Sequence, residues 1–285
     1  PPAPAPDSTP ADVIDVEFLD NVYETTHRYF PKCIGSSTLD ELSDIHKRVF
    51  SLKSESNLAQ FVTIDNGKPI RNKVTVSMDL LEISKTNHII VNAMQDSDRS
   101  VMSIADAMYT KLGIRPTINM YVSPRWSIGL SAHHDPQDVF IMQVSGSKAW
   151  DVCPPINAGA NLPTRVSDDP NHRLYYRYDG SVMSSVGCRS YNLTTGDLLY
   201  IPRGFIHAPY TKSQPSVHLT IGIDGDFTWL DFFKGLQHTG SLPSGSDVST
   251  YVRCLNEREL NKLVPHLPLS RIATSTSSSS SSSSS

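Results

Sequence analysis

The chain has 285 residues, of which 38% are hydrophobic and 19% charged, which suits a globular protein with one large domain. No segment approaches the ~18 consecutive apolar residues of a membrane span, so we expect no membrane partner. The 25 basic and 29 acidic residues leave a formal charge of −4, which argues against a broad nucleic-acid-binding face.

The cysteine pattern argues against a zinc knuckle. The four cysteines are Cys33, Cys153, Cys188 and Cys254, and none of them forms a C-x-x-C pair. Four scattered cysteines in a chain of this length favour buried, reduced thiols.

The N-terminal part of the chain is predicted to be a short tail followed by a mixed, largely helical segment. Residues 1–12 are rich in Pro and Ala, which predicts a disordered lead-in. Within residues 13–115, a capping-box pattern at Thr38 predicts one helix, and Ser100 and Gly113 mark the start and stop of another. Their apolar faces consist of Leu39, Leu42, Ile45, Val49 and Leu52, and of Val101, Ile104, Ala105, Met108 and Leu112.

Residues 116–225 have the pattern of a mainly β domain. Short β-rich runs cover residues 117–122, 139–144, 149–153, 198–201 and 217–223. Turn formers at 145–147, 195–197 and 202–204 separate them. Because no helix of convincing length lies between these runs, we expect an antiparallel jelly roll, a double-stranded β-helix of the cupin type with flanking α-helices.

The C-terminal part is predicted to contain two helices and a tail. Residues 226–272 include apolar helical patterns at 227–236 and 255–264, which we expect to cap the barrel. Residues 273–285 are almost entirely Ser and Thr and are predicted to be disordered, because such a tract cannot bury a core.

His133, Asp135 and His207 form a candidate metal site. In a strand, residues two apart point the same way, so His133 and Asp135 can face one cavity while His134 points away. The 202–204 turn could direct His207 into that cavity from a distant strand. Two imidazoles and one carboxylate are the facial triad of non-haem Fe(II) oxygenases. The alternative is that an isolated H-x-D and a distant histidine are unrelated, with His207 either hydrogen-bonded or at the surface.

Lys148 and Asn119 lie at positions that extend this hypothesis. Lys148 follows the 145–147 turn and should lie on a returning antiparallel strand. A lysine pointing into a barrel is costly unless an anion meets it, and the distal carboxylate of 2-oxoglutarate would be such an anion. The alternative is an exposed lysine at a hairpin rim. Asn119, on a preceding strand, could donate into the same cavity.

Together these motifs resemble one known family. The segments 119–124 (NMYVSP), 133–135 (HHD), 143–150 (QVSGSKAW) and 196–204 (GDLLYIPRG), followed by His207, are similar to the JmjC-type ribosomal oxygenases. These are cupin-like protein hydroxylases that use Fe(II) and take 2-oxoglutarate and O₂ as co-substrates. The resemblance covers roughly residues 85–225.

The resemblance implies roles for seven residues. His133, Asp135 and His207 match the catalytic iron ligands, and Lys148 matches the residue that binds the distal carboxylate of 2-oxoglutarate. The remaining positions, implied to contact or line the co-substrate site, are Asn119, Ser216 and Tyr121.

The resemblance also implies a reaction and a protein partner. The expected substrate is a histidyl or arginyl side chain of a ribosomal protein, and the expected compartment is the nucleus or nucleolus, with the cytoplasm as the alternative. Histone lysine demethylation uses the same iron chemistry and is a second reading, and a non-catalytic cupin binding module is a third. Family members continue into a dimerisation region, whereas only residues 226–285 follow the barrel here. Dimerisation is therefore possible but not supported by this chain.

Overall fold

The computed structural model describes most of the chain up to residue 224. The described residues are 3–52, 59–65, 68–73, 78–156, 178 and 180–224. The predicted C-terminal helices at 227–236 and 255–264 and the 273–285 tail lie outside them.

The described residues contain short helices, mostly before the barrel, and ten strands. The α-helices are α1 (Val16–Asn21), α2 (Ser36–Leu42), α3 (Ile45–Leu52), α4 (Leu80–Ile83), α5 (Arg99–Leu112) and α6 (Gly180–Val186), with 3₁₀ helices at Pro10–Val13 and Met94–Asp96. The strands are β1 (Arg28–Phe30), β2 (Ala59–Asp65), β3 (Lys68–Lys73), β4 (His88–Val91), β5 (Thr117–Ser123), β6 (Gln137–Cys153), β7 (Arg189–Thr194), β8 (Leu198–Ile201), β9 (Ile206–Tyr210) and β10 (Ser216–Asp224).

The strands pair antiparallel in the order β1-β8-β6-β10-β5-β4-β2-β3, and β7 and β9 also pair with β6. The long strand β6 belongs to both layers. Its first half pairs with β8 and β10, and its second half pairs with β7 and β9. This is the double-stranded β-helix that the sequence predicted, and the prediction of a mainly β, cupin-type fold with flanking helices is confirmed.

The prediction that a turn at residues 145–147 separates two strands is wrong, because β6 continues through these residues without interruption. Gly146 has φ +69°, a left-handed conformation that allows the strand to bend without ending. A Cβ there would lie 1.9 Å from the carbonyl oxygen of Pro215. Glycine is therefore required at this bend, which carries the strand from one sheet to the other.

Alternation along the strands separates a core face from a cavity face. In β5, Met120 and Val122 belong to the main hydrophobic core, whereas Tyr121 lines a cavity on the opposite face. In β10, Leu219 packs in the same core and His218 lines the same cavity. The period of two is what a pleated strand imposes.

Of the two helices predicted in the N-terminal segment, the second is confirmed as α5, whereas the first is divided into α2 and α3. The last residue of α5 is Leu112, and Gly113, with φ +69°, is its C-cap as predicted, but its N-cap is Asp98 rather than Ser100. The Asp98 carboxylate accepts hydrogen bonds from the backbone N–H groups of Ser100 and Val101. The single helix predicted from Thr38 breaks at Asp44, where φ is +55°, so α2 and α3 are separate.

The disorder predicted for residues 1–12 does not hold for residues 5–12. Thr9 caps the first 3₁₀ helix, and Ala11 is buried. The carbonyl oxygen of Ser8 accepts a hydrogen bond from the backbone N–H of Gly35. This segment is ordered because its apolar groups reach the core and its backbone polar groups find partners.

The sheet begins before the predicted start of the barrel. β4 pairs with both β2 and β5, so residues from the 13–115 segment extend the same sheet. The division of the chain at residue 116 stays a prediction.

A fully buried ionic cluster joins the N-terminal segment to the barrel. Arg203 and Asp138 are 0% exposed and Glu24 is 1% exposed. Arg203 Nε donates to Glu24 Oε1 at 2.6 Å and lies 3.8 Å from Asp138 Oδ2. Tyr200 Oη donates to Asp138 Oδ1 at 2.5 Å and accepts from the Glu24 backbone N–H at 2.8 Å. Burial, and then the charge of Glu24, raise the pKa of Asp138 to about 7.

The prediction of reduced thiols for all four cysteines is wrong for two of them. Cys153 and Cys188 form a disulfide, with Cα atoms 4.1 Å apart, and Cys33 is a free thiol. The pairing follows from the sheet, because β6 and β7 are antiparallel and Val152 lies opposite Arg189. The prediction relied on sequence spacing, which does not show this proximity.

Replacing Arg203 by Met should leave two carboxylates buried without their cation. We expect the free energy of unfolding to fall by about 3–5 kcal/mol, as is typical when one partner of a buried ion pair is removed. Urea denaturation measures this. The matched control is Arg28→Met, which breaks the more exposed pair with Glu17 and should cost at most about 1 kcal/mol. Equal effects of the two variants would contradict a dominant role for the buried cluster.

The disulfide closes a loop with a sequence separation of 35 residues. Cys188→Ser should therefore lower the free energy of unfolding by about 3–4 kcal/mol in the chain-entropy description. Dithiothreitol should have the same effect on the wild-type protein in urea denaturation, whereas Cys33→Ser should leave the sensitivity to dithiothreitol unchanged. A wild-type protein indifferent to dithiothreitol would argue against the bond.

Candidate metal centre

A partly open cavity lies inside the barrel. Its walls come from β4, β5, β6, β9 and β10 and from the loop that precedes β6. His133, Asp135 and His207 line it together with Lys148 and Tyr121. Five of the seven residues that the sequence singled out therefore meet in one place.

The three predicted metal ligands converge. Their ligand atoms all lie within 4.8 Å of one another, and within the described part of the chain this is the one such group of His, Cys, Asp or Glu. His133 Nε2 lies 3.9 Å from Asp135 Oδ1, and His207 Nε2 lies 3.6 Å from Asp135 Oδ2. This spacing allows one ion to contact all three side chains.

The H-x-D motif is not in a strand, which corrects the prediction. His133 makes only an isolated bridge to His207, and Asp135 lies in the loop before β6. Reciprocal backbone hydrogen bonds join His133 and His207, at 3.1 and 2.7 Å. The Gly204 backbone N–H donates to the carbonyl oxygen of Asp135 at 2.9 Å. Backbone hydrogen bonds, rather than strand alternation, bring the ligands together.

Backbone carbonyl groups set the tautomers of both histidines. His133 Nδ1 lies 2.7 Å from the Ser131 carbonyl oxygen, and His207 Nδ1 lies 3.1 Å from that of Phe205. Since a carbonyl can only accept, each Nδ1 carries the proton and donates it. Each Nε2 then presents a lone pair towards Asp135, which is the arrangement that metal-binding histidines need.

The protonation states also fit a divalent metal ion. Burial, and then the proximity of His207, lower the pKa of His133 to about 4, so its imidazole is neutral near pH 7. Burial acts to raise the pKa of Asp135, but the close approach of His207 and of the neighbouring imidazoles outweighs it and lowers that pKa. Two imidazoles and one carboxylate are a donor set that Fe(II) accepts.

His134 does not belong to this set. Its Nδ1 lies 2.8 Å from the hydroxyl of Tyr178, and the two rings are 5.8 Å apart. His134 thus makes a contact outside the metal site, in agreement with the prediction that it points away from the cavity.

Lys148 points into the cavity from the second half of β6. It is 4% exposed, and its Nζ donates to Ser123 Oγ at 2.9 Å. In the described part of the chain no carboxylate forms an ion pair with it, and burial lowers the pKa of Lys148 to about 7. A buried amine without a counter-ion is unfavourable as a cation until an anion enters. The rim position that was the alternative is therefore wrong.

Two of the predicted residues do not line the cavity. Asn119 Oδ1 accepts a hydrogen bond from the Ala93 backbone N–H at 3.1 Å. Ser216 Oγ accepts from Gln143 Nε2 at 2.9 Å in a buried contact. Both side chains hold neighbouring segments in place instead, and their roles at the co-substrate stay predictions.

Three polar cavity residues were missed by the sequence reasoning. His218 and Thr220 lie on the same face of β10 as Ser216, so strand alternation was a signal that could have found them. The His218 ring stacks on Tyr121 with centroids 5.1 Å apart. His88 comes from β4, ahead of the predicted barrel, and nothing in its local sequence points to the cavity.

Comparisons with known proteins agree with the fold and the motif. Residues 90–228 match the JmjC domain family. The histidyl-hydroxylase and lysine-specific demethylase NO66 of Dictyostelium discoideum is 29% identical over 140 residues, which are 48% of this chain and 25% of that protein. Ribosomal oxygenase 2 of Rattus norvegicus is 34% identical over 116 residues, 40% of this chain and 22% of that protein.

Solved structures show the same architecture. The Escherichia coli ribosomal oxygenase YcfD, in complex with cobalt and 2-oxoglutarate, superposes with a TM-score of 0.54 at 18% identity, covering 81% of this chain and 59% of that one. The predicted resemblance to JmjC-type ribosomal oxygenases is thus confirmed for the domain. The chain spans 18–27% of the length of the first four curated relatives. Among the described residues, no helix is both long and apolar enough to span a membrane.

The metal site can be tested with Co(II), followed by its visible absorption. His207→Ala removes one of three ligands and should weaken binding by more than the ~10–100-fold typical for loss of an outer-shell partner. His134→Ala is the matched control and should keep wild-type affinity, because this histidine contacts Tyr178. Equal loss in both variants would show that the ion binds elsewhere.

Proposed function

We propose that this chain, whose residues 90–228 match the JmjC domain, is an Fe(II)- and 2-oxoglutarate-dependent dioxygenase that hydroxylates a histidyl or arginyl side chain of a ribosomal protein. One observation carries the proposal. The His133, Asp135 and His207 triad and the buried Lys148 open into the same cavity. A metal end and an anion end in one cavity suit a co-substrate that chelates through one end and carries a second carboxylate at the other.

The triad accounts for the metal half of this chemistry. When bound, Fe(II) supplies the activation of O₂, coupled to oxidative decarboxylation of 2-oxoglutarate. His133 and His207 offer Nε2 and Asp135 offers a carboxylate oxygen. Because the protein offers only three ligands, an Fe(II) ion held by them would keep coordination positions for the co-substrate and O₂.

Lys148 accounts for the co-substrate half. Its Nζ can donate to a carboxylate, and the anion would restore the charged state of the amine by compensating the effect of burial. Val139 and Ile141 form an apolar part of the cavity wall. Such a wall limits water around the bound groups and strengthens the ion pair.

The names of the relatives support a protein substrate. Two ribosomal oxygenases and a histidyl-hydroxylase are among them, which favours hydroxylation of a ribosomal protein side chain. The NO66 relatives are also named lysine-specific demethylases, so histone lysine demethylation is the second candidate. A non-catalytic binding module would not need all three ligands and a buried lysine. Localisation in the nucleus or nucleolus stays a prediction.

Anaerobic titration with Fe(II) and 2-oxoglutarate tests the proposal. The wild-type protein should develop the weak visible charge-transfer band of the chelate. Lys148→Met should need about 10–100-fold more 2-oxoglutarate, because a charge-assisted hydrogen bond is lost, whereas His134→Ala should behave as wild type. A folded wild-type protein without the band would overturn the proposal.

The product distinguishes the two candidate reactions. Mass spectrometry of ribosomal-protein and methylated histone peptides should show addition of one oxygen for hydroxylation, or loss of a methyl-sized mass for demethylation. If succinate forms but neither peptide class changes, both substrate assignments are wrong.

A further inference from the structure

His88 is a buried polar residue of the cavity that the chemistry described so far does not use. It lies at the start of β4, is 7% exposed and lines the cavity. Its Nδ1 lies 3.1 Å from Ser123 Oγ, the same oxygen that accepts from Lys148 Nζ at 2.9 Å. Its other nitrogen, Nε2, is buried without a hydrogen-bond partner among the described residues. Such an atom is costly unless a ligand satisfies it.

The hydrogen bonds around Ser123 determine which nitrogen of His88 carries the proton. When an anion occupies the cavity Lys148 is an ammonium, which can only donate, so Ser123 Oγ accepts from it. The hydroxyl then donates its own hydrogen to His88 Nδ1. Burial, and then the charge of Lys148, lower the pKa of His88 to about 4, so the ring is neutral. A neutral imidazole that accepts at Nδ1 carries its proton at Nε2, and His88 is therefore a donor to the cavity.

The ring of His88 is held in one position. An added Cβ at Gly129 would lie 2.8 Å from His88 Cε1 and 2.9 Å from Nδ1. The backbone of Gly129 therefore packs closely against the ring on one side, while Ser123 fixes Nδ1 on another. The position of Nε2 is determined by contacts, which a specificity element needs.

We infer that His88 Nε2–H donates a hydrogen bond to the same carboxylate that Lys148 binds, and that His88 thereby selects 2-oxo acids with a second carboxylate. The inference rests on the proposed function, because it assigns a residue to the distal end of 2-oxoglutarate. Lys148 and His88 bond to one serine oxygen, so their nitrogens lie around one point of the cavity wall. A carboxylate has two oxygens and can accept from both donors at once. The Lys148 ammonium provides the opposite charge, and the His88 imidazole provides a hydrogen bond that fixes the orientation of the carboxylate.

Two ligands separate this role from simple packing. 2-Oxopentanoate has the chelating end of 2-oxoglutarate but a methyl group in place of the distal carboxylate. Binding of each is measured by calorimetry on the Mn(II)-loaded protein, where no turnover occurs. His88→Leu removes the donor and keeps an apolar side chain, His88→Gln restores an N–H donor, and His46→Leu is the control at another histidine, on α3.

The inference predicts a selective loss. His88→Leu should weaken 2-oxoglutarate binding by at least about tenfold, as expected for a lost hydrogen bond to a charged group, and should leave 2-oxopentanoate binding unchanged. His88→Gln should recover most of the affinity, and His46→Leu should match wild type. If His88→Leu does not fold, Gly129→Ala serves instead, since it displaces the ring and should cause the same selective loss.

Other outcomes overturn it in distinguishable ways. Equal weakening of both ligands, or no weakening of either, would show that His88 only packs the wall. A wild-type protein that binds Mn(II) but not 2-oxoglutarate would instead overturn the proposed function itself, whatever His88 does.

Discussion

The buried Arg203 guanidinium is the constraint on which the site depends. It holds Glu24 of the N-terminal segment and lies beside Asp138 at the start of β6, with all three side chains essentially without solvent contact. Two of these residues are neighbours of the candidate ligands, since Asp135 precedes Asp138 and His207 follows Arg203 by a few positions. Burying such charges is costly unless every partner is in place. Displacing the N-terminal segment would therefore leave buried charges unpaired next to both ligand-bearing segments, which is a physical reason for that segment to belong with the barrel.

The bend of β6 at Gly146 links the buried ionic cluster around Arg203 to the candidate metal and anion sites, because one strand contributes to both. The half of β6 before the bend contains Asp138 and pairs with β8 and β10. The half after the bend contains Lys148 and pairs with β9, where Val152 lies opposite His207. One continuous strand therefore sets the separation between the metal end and the anion end of the cavity. A hairpin turn at the same place would have made that separation depend on a flexible connection.

The local sequence pattern was enough to predict some helices, some strands and the metal ligands, whereas other features of the site depend on which strands pair in the fold. The helical spacing of apolar residues in α5 and the β-rich sequences of β5 and β8 are local properties. The H-x-D motif and His207 indicate a metal-binding donor set from residue types alone. Gly146 was ambiguous, because a Ser-Gly-Ser segment suits a turn or a bent strand equally. His88 and the Cys153–Cys188 bond become visible only once strands distant in sequence are paired.

The two ends of the cavity differ in how their polar groups are satisfied. At the metal end, backbone carbonyl groups occupy each Nδ1, so the histidines are oriented before any ion arrives. At the other end, His88 Nε2, His218 Nδ1 and Trp150 Nε1 are buried without partners among the described residues, around an amine whose pKa burial has lowered. Each such group reduces the stability of the ligand-free fold. An anion that satisfies several of them at once relieves that penalty, whereas an apolar ligand does not. The unsatisfied groups at this end of the barrel therefore favour a ligand that carries hydrogen-bonding groups over an apolar one.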